Sequence, residues 1–219
     1  MNPAVLTVRN LSVQTASGPG QRPAADHVSF ELRQGEVLAL VGESGCGKTK
    51  TAEAIMGLLS PDRWKVTADE IRLEGTELTR LTPREAGRIR GSEISMVFQE
   101  PLTALDPVFT CGYQLCSVFR RHRGMGRRES RESSLAMFGR VGFSDPERTF
   151  NSYPHQLSGG MRQRVMIAMA MACRPAVLIA DEPTTALDVT TQTQVLAQLV
   201  ELGRASGTAI LLITHDLGV

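Results

Sequence analysis

The chain has 219 residues, 42% of them hydrophobic, which is enough to bury a substantial core and excludes a disordered chain. Its 24 Lys and Arg nearly cancel its 23 Asp and Glu, so no whole-protein field favours nucleic acid or a bare anionic membrane, and partners must be engaged through local sites. The opening MNPAVLTVRN has no basic stretch leading into a long apolar run, and no window reaches roughly 18 uninterrupted apolar residues, which argues against a signal peptide or membrane span and predicts a cytoplasmic chain. Cys46, Cys111, Cys116 and Cys173 form no CxxC pair, so neither a disulfide framework nor a zinc site is indicated.

Residues 5–13, 28–33 and 37–41 read as short strands, with the Gly/Pro-rich SGPGQRP between the first two as a hairpin loop. The third strand enters a glycine cluster, and the TKTAEAIMGLL beyond it carries Ala52, Ile55, Met56 and Leu59 at helical spacing. A further strand covers 94–98. From 111 to 143 the pattern turns helical and polar, with Leu115, Val118 and Phe119 on one face and then Leu135, Phe138 and Val141, which predicts a helical insertion. A helix over 160–172, a strand over 177–180, a helix over 189–205 and a strand over 209–213 follow. Strands alternating with helices imply a parallel sheet, with chemistry at the carboxyl ends of its strands.

GESGCGKT (42–49) matches GxxxxGK[ST] in the context that motif requires, directly after a strand and before a helix. Gly42, Gly45 and Gly47 let the backbone curl until successive N–H groups point at phosphate oxygens, and the following helix offers its positive end. Lys48 is expected to reach the β- and γ-phosphates and the Thr49 hydroxyl to bind Mg²⁺. Glu43, Ser44, Cys46 and Lys50 complete the candidate nucleotide-binding set.

VLIADEP (177–183) is an apolar strand that ends in adjacent carboxylates. Asp181 can support the Mg²⁺ held by Thr49. Glu182 leaves the strand in another direction and is the candidate general base for the water that attacks the γ-phosphate. His215 follows the strand AILLIT at the same sheet edge, where an imidazole can hold the water and Glu182 in place.

LSGGMRQR (157–164) separates the phosphate-loop families. Together with GESGCGKT, the Gln99 of VFQEP, IADEPTTALD (179–188) and the late His215, in that family's order, it resembles the ATP-binding subunits of ABC transporters. The resemblance implies an α/β phosphate-loop NTPase with a parallel-sheet core, an N-terminal antiparallel β subdomain and a helical insertion. Residues 1–99 and 174–219 would form the catalytic core and 100–173 the helical subdomain. Ser158, Gly159 and Gly160 open a helix and so form a second anion site, separate from the first. In the family this site meets the γ-phosphate held by Lys48 of a second subunit, identical or paralogous, in a head-to-tail dimer, and Asp188 lies at the seam. Gln99 looks like the residue that senses the γ-phosphate and metal. NSYPHQ is similar to the segment that touches transmembrane permease subunits. ATP and Mg²⁺, a peripheral place on the cytoplasmic face of the membrane, an indirect link to a substrate-binding protein and no nucleic acid are further implications.

EPLTALDP (100–107), YPHQLSGGMRQRVMIAMAMA (153–172) and DEPTTALDVTTQ (181–192) narrow the resemblance to the di- and oligopeptide and nickel importers and to their relative in phosphonate breakdown, a soluble ABC-type ATPase. The family pattern is broken at three places. Thr15 stands where an aromatic that stacks on adenine is usual. Lys50 adds a charge after the phosphate-loop threonine. The sequence ends at HDLGV, where relatives continue, and is read as truncated.

Overall fold

The computed structural model describes residues 3–16, 22–99, 104–184 and 187–215. Its elements are β1 (Ala4–Thr15), β2 (Ala25–Arg33), β3 (Val37–Val41), α1 (Lys48–Ile55), β4 (Trp64–Thr67), β5 (Glu70–Leu73), β6 (Thr76–Glu77), α2 (Pro83–Ile89) and β7 (Ile94–Val97). Then come α3 (Cys111–Arg123), α4 (Arg127–Arg140), α5 (Pro146–Asn151), α6 (Gly159–Met171), β8 (Val177–Asp181), α7 (Val189–Ser206) and β9 (Ala209–Thr214).

Among the described residues the strands form two sheets. The parallel one has the order β3-β9-β8-β7, and every residue of β8 is buried, as expected of a strand covered on both faces. Successive side chains point to opposite faces, so Val177 and Ile179 join one core while Leu178 and Ala180 join the other. The first core packs the sheet against β1, β2, β5 and α1; the second packs it against α3, α4, α6 and α7. The other sheet is antiparallel, β2-β1-β5-β6, and its long β1 is shared: Leu6 to Arg9 pair with β5, whereas Ser12 to Thr15 pair with β4. β1 and β2 pair antiparallel across the expected hairpin loop, of which residues 17–21 lie outside the described residues.

Helix ends follow their caps. Thr110 accepts a hydrogen bond from Tyr113 N to start α3, which stops at left-handed Gly124. Asp188 accepts from Thr191 N to start α7, which stops at left-handed Gly207. The predicted strands and helices lie within two or three residues of those observed, apart from the phosphate-loop helix, which ends at Ile55. The structure adds β4, β5, β6, α2 and α5, which the sequence pattern did not mark. Among the described residues no helix is long and apolar enough to cross a membrane.

The helical region around α4 depends on Phe138, which is fully buried with its ring edge-on to Phe143 at 5.6 Å. Phe138→Ala is expected to lower unfolding free energy by about 3 to 5 kcal/mol, measured by urea denaturation.

Candidate active site

The loop after β3 turns into α1 through Gly47, the helix cap, at φ 98°. A Cβ at Gly47 would lie 1.8 Å from the Ala24 carbonyl oxygen, so glycine is required there by both conformation and space. Gly42 is packed against Cys46, whose Sγ would be 2.7 Å from an added Cβ. The first turn of α1 holds no acidic residue, which leaves the positive end of the helix uncancelled. Lys48 is buried, and its Nζ donates to the carbonyls of Gly42 at 2.7 Å and Glu43 at 2.9 Å, which pins the ammonium beside the loop's amides.

Asp181 ends β8 at 2% exposure, and its Oδ1 has no hydrogen-bond partner among the described residues. Burial pushes its carboxyl above the usual carboxylate range; a hydrogen bond with the Thr49 side chain and the charge of Lys48 oppose this, while Glu182 and Glu53 add to it. A buried oxygen without a partner beside a threonine hydroxyl fits a cation. Among the described residues no group of three or more His, Cys, Asp or Glu is placed to hold a metal.

Glu182 turns out of the sheet with a left-handed backbone, φ 45°, and its N–H donates to the Ile213 carbonyl at 3.0 Å. Its carboxylate is held from two sides. Gln99 Nε2 donates to Oε2 at 3.0 Å, and His215 Nδ1 lies 3.0 Å from Oε1. Gln99 follows β7 and His215 follows β9, so the carboxyl ends of different parallel strands supply Lys48, Gln99, Asp181, Glu182 and His215 to one edge. Glu43, Ser44, Gly45, Gly47, Lys48, Thr49, Lys50, Gln99, Glu182 and His215 line a single cleft of about 850 Å³ together with Ala24 and Trp64.

Ser158, Gly159, Gly160 and Asp188 are not among the residues lining that cleft. Ser158 is exposed and caps α6 by accepting from Met161 N at 3.3 Å. A Cβ on Gly160 would meet Thr191 at 2.8 Å, so the starts of α6 and α7 lie against each other. Asp188 is exposed there, and the hydrogen bond from Thr191 N pulls its carboxyl below the usual range.

Two placements were not evident from spacing. Trp64 lines the cleft and pairs directly across from Thr15. Lys50 is drawn aside: its Nζ sits 2.5 Å from Glu53 Oε2 and 5.0 Å from the Trp64 ring centre.

Comparison with known proteins identifies the family. The ABC transporter family model matches residues 25–185. The chain is 50% identical over 215 residues to the dipeptide transport ATP-binding protein DppD of Bacillus subtilis, covering 98% of this chain and 64% of that protein. To DppD of Escherichia coli it is 45% identical over 217 residues, covering 99% and 66%. The chain therefore spans just under two thirds of the length of these relatives. Among solved structures, the dimeric post-hydrolysis ATP-binding cassette MJ0796 bound to ADP and phosphate superposes with a TM-score of 0.84 at 30% identity, covering 97% of this chain and 89% of that one. With the family model spanning most of its length and the fold shared with a solved ATP-binding cassette, this chain belongs to the ABC transporter family.

Proposed function

We propose that the chain is the ATP-binding and ATP-hydrolysing subunit of an importer that moves peptides through membrane-embedded permease subunits. The reading rests on one observation: Lys48 faces the same cleft as Glu182, whose carboxylate is gripped by Gln99 and His215.

A triphosphate over the loop meets the amides around Gly45 and Gly47 and the Lys48 ammonium, which balance charge on the β and γ oxygens. Thr49, Asp181 and the Gln99 side-chain carbonyl would hold Mg²⁺, which when bound screens those oxygens and polarises the γ-phosphoryl group. Glu182 takes a proton from water as the water oxygen bonds to the γ-phosphorus and the bond to the bridging oxygen breaks, releasing ADP and phosphate. Gln99 and His215 keep the carboxylate in one orientation throughout.

Ser158 to Gly160 open α6 outside this cleft, so in this reading they close on the nucleotide of a second, identical or paralogous chain, with Asp188 at the seam. The dimeric form of MJ0796 supports the pairing. Closure of two chains around nucleotide is the motion that would drive a permease. A docking surface is supported by exposed Val108, Phe109, Tyr113 and Tyr153, with Phe109 and Tyr113 stacked at 4.7 Å and Cys111 N bonded to the Ser152 carbonyl. Such docking would hold the chain peripherally on the cytoplasmic face of the membrane. The names of the relatives, dipeptide transport proteins, favour peptide import over nickel uptake or a soluble role in phosphonate breakdown.

Glu182→Gln is expected to bind MgATP with near-normal affinity but to lose at least ~100-fold in phosphate release, whereas Lys48→Ala fails to bind, as read by calorimetry and a phosphate assay. Normal turnover in Glu182→Gln would remove it as the base.

A carboxyl whose folded pKa lies above its unfolded one favours the fold only while protonated, and that contribution is lost as pH rises through the folded pKa. Ionisation of Asp181 therefore works against folding. Asp181→Asn is expected to raise the melting temperature of the nucleotide-free chain by a few degrees and to abolish the extra stabilisation that Mg²⁺ adds to ATP, measured by scanning calorimetry.

Purified from native membranes, the chain should bring down permease subunits, and Phe109→Ser with Tyr113→Ser should weaken that association. Copurification with soluble partners alone would overturn the import reading.

A further inference from the structure

We propose that Trp64 is the platform on which the nucleotide base stacks, an assignment that rests on the nucleotide-binding reading of the cleft. The cleft has two chemically distinct regions. Lys48, Thr49, Gln99, Glu182 and His215 carry the phosphate and hydrolytic chemistry, and a phosphate chain gripped there must lead its base away from them. The remaining lining includes Trp64, whose indole gives the broad apolar π-face that a purine needs.

The indole is fixed rather than free to swing. It is half-buried and packed on the core beneath the antiparallel sheet, and its backbone N–H donates to the Ser60 carbonyl at 3.0 Å. Across the β1–β4 ladder its partner is Thr15. Directly opposed residues project from the same face of a sheet, so the short Thr15 side chain leaves room over the strand pair that a larger one would fill. The ring also stays within reach of the cleft, because the Lys50 ammonium sits 5.0 Å from its centre while tethered to Glu53. Lys50 follows Lys48 by two positions, so a nucleotide stacked on Trp64 runs its α-phosphate past Lys50 on the way to the loop. Stacking offers a π-face to any base, so ATP and GTP are accepted with affinities within a few-fold of each other.

Trp64 is the single tryptophan of the chain, so tryptophan emission, excited at wavelengths that the two tyrosines do not absorb, reports on it alone. The 219-residue chain is titrated with MgATP, MgGTP and magnesium tripolyphosphate, following emission and, in parallel, heat. Both nucleotides are expected to change the emission, and tripolyphosphate to bind without changing it. Trp64→Ala is expected to weaken MgATP about tenfold or more while leaving tripolyphosphate within twofold, and Trp64→Phe to restore most of the loss. If Trp64→Ala weakens both ligands, Trp64→Phe decides: near-normal MgATP affinity supports the platform, and continued loss overturns it. Calorimetric MgATP binding with unchanged emission and unchanged affinity in Trp64→Ala would overturn the platform and leave nucleotide binding standing. Failure of the wild-type chain to bind any of the three would overturn both.

Discussion

Val41 lies opposite Thr214, Asp181 opposite Ile213 and Val97 opposite Ala180 in the parallel ladder, and that register aligns the strand ends on which the whole site is built. Because all the strands run the same way, their carboxyl termini share one edge, and the residues that leave the sheet there meet without any long-range loop having to find its partner. A slip of one residue in β8 would turn Leu178 and Ala180 toward the wrong core and carry Asp181 away from Thr49. Packing on both faces thus enforces the alignment that the chemistry needs.

The charges at that edge are arranged for a ligand more than for the fold. Asp181 is nearly sealed from water with one oxygen unpartnered among the described residues, and Glu182 adjoins it, a repulsive pair that a cation would relieve. Lys48 faces the reverse situation, buried and held by carbonyl oxygens that a phosphate outcompetes in charge. Binding energy is therefore stored on both sides of the cleft, one side seeking positive charge and the other negative.

Much of this was legible in the sequence because its signals are local. GESGCGKT lies between an apolar strand and a helix, and the runs VLIAD and AILLIT announce buried strands whose next residues must carry the chemistry. The elements that pattern missed are short and weakly apolar. β4 has no fully buried residue, α2 buries none, and α5 spans six residues. A start signal for α2 was present in TPRE, where Thr82 and Glu85 form a reciprocal cap, but no apolar stripe follows to confirm it. Trp64 escaped for a different reason. Its place beside Thr15 comes from antiparallel pairing between distant segments, and no spacing rule encodes such a partnership. The position of Lys50 beside the loop was likewise visible in the sequence, but its attachment to Glu53 was not.

The left-handed backbone of Glu182 has a cost that the rest of the molecule absorbs. A residue bearing a Cβ is disfavoured at φ 45°, by an amount on the order of 1 to 3 kcal/mol, and glycine would relax the turn. Relaxation would also erase the carboxylate held by Gln99 and His215. Durability and a carboxylate at this sheet edge thus make opposite demands on a single torsion angle.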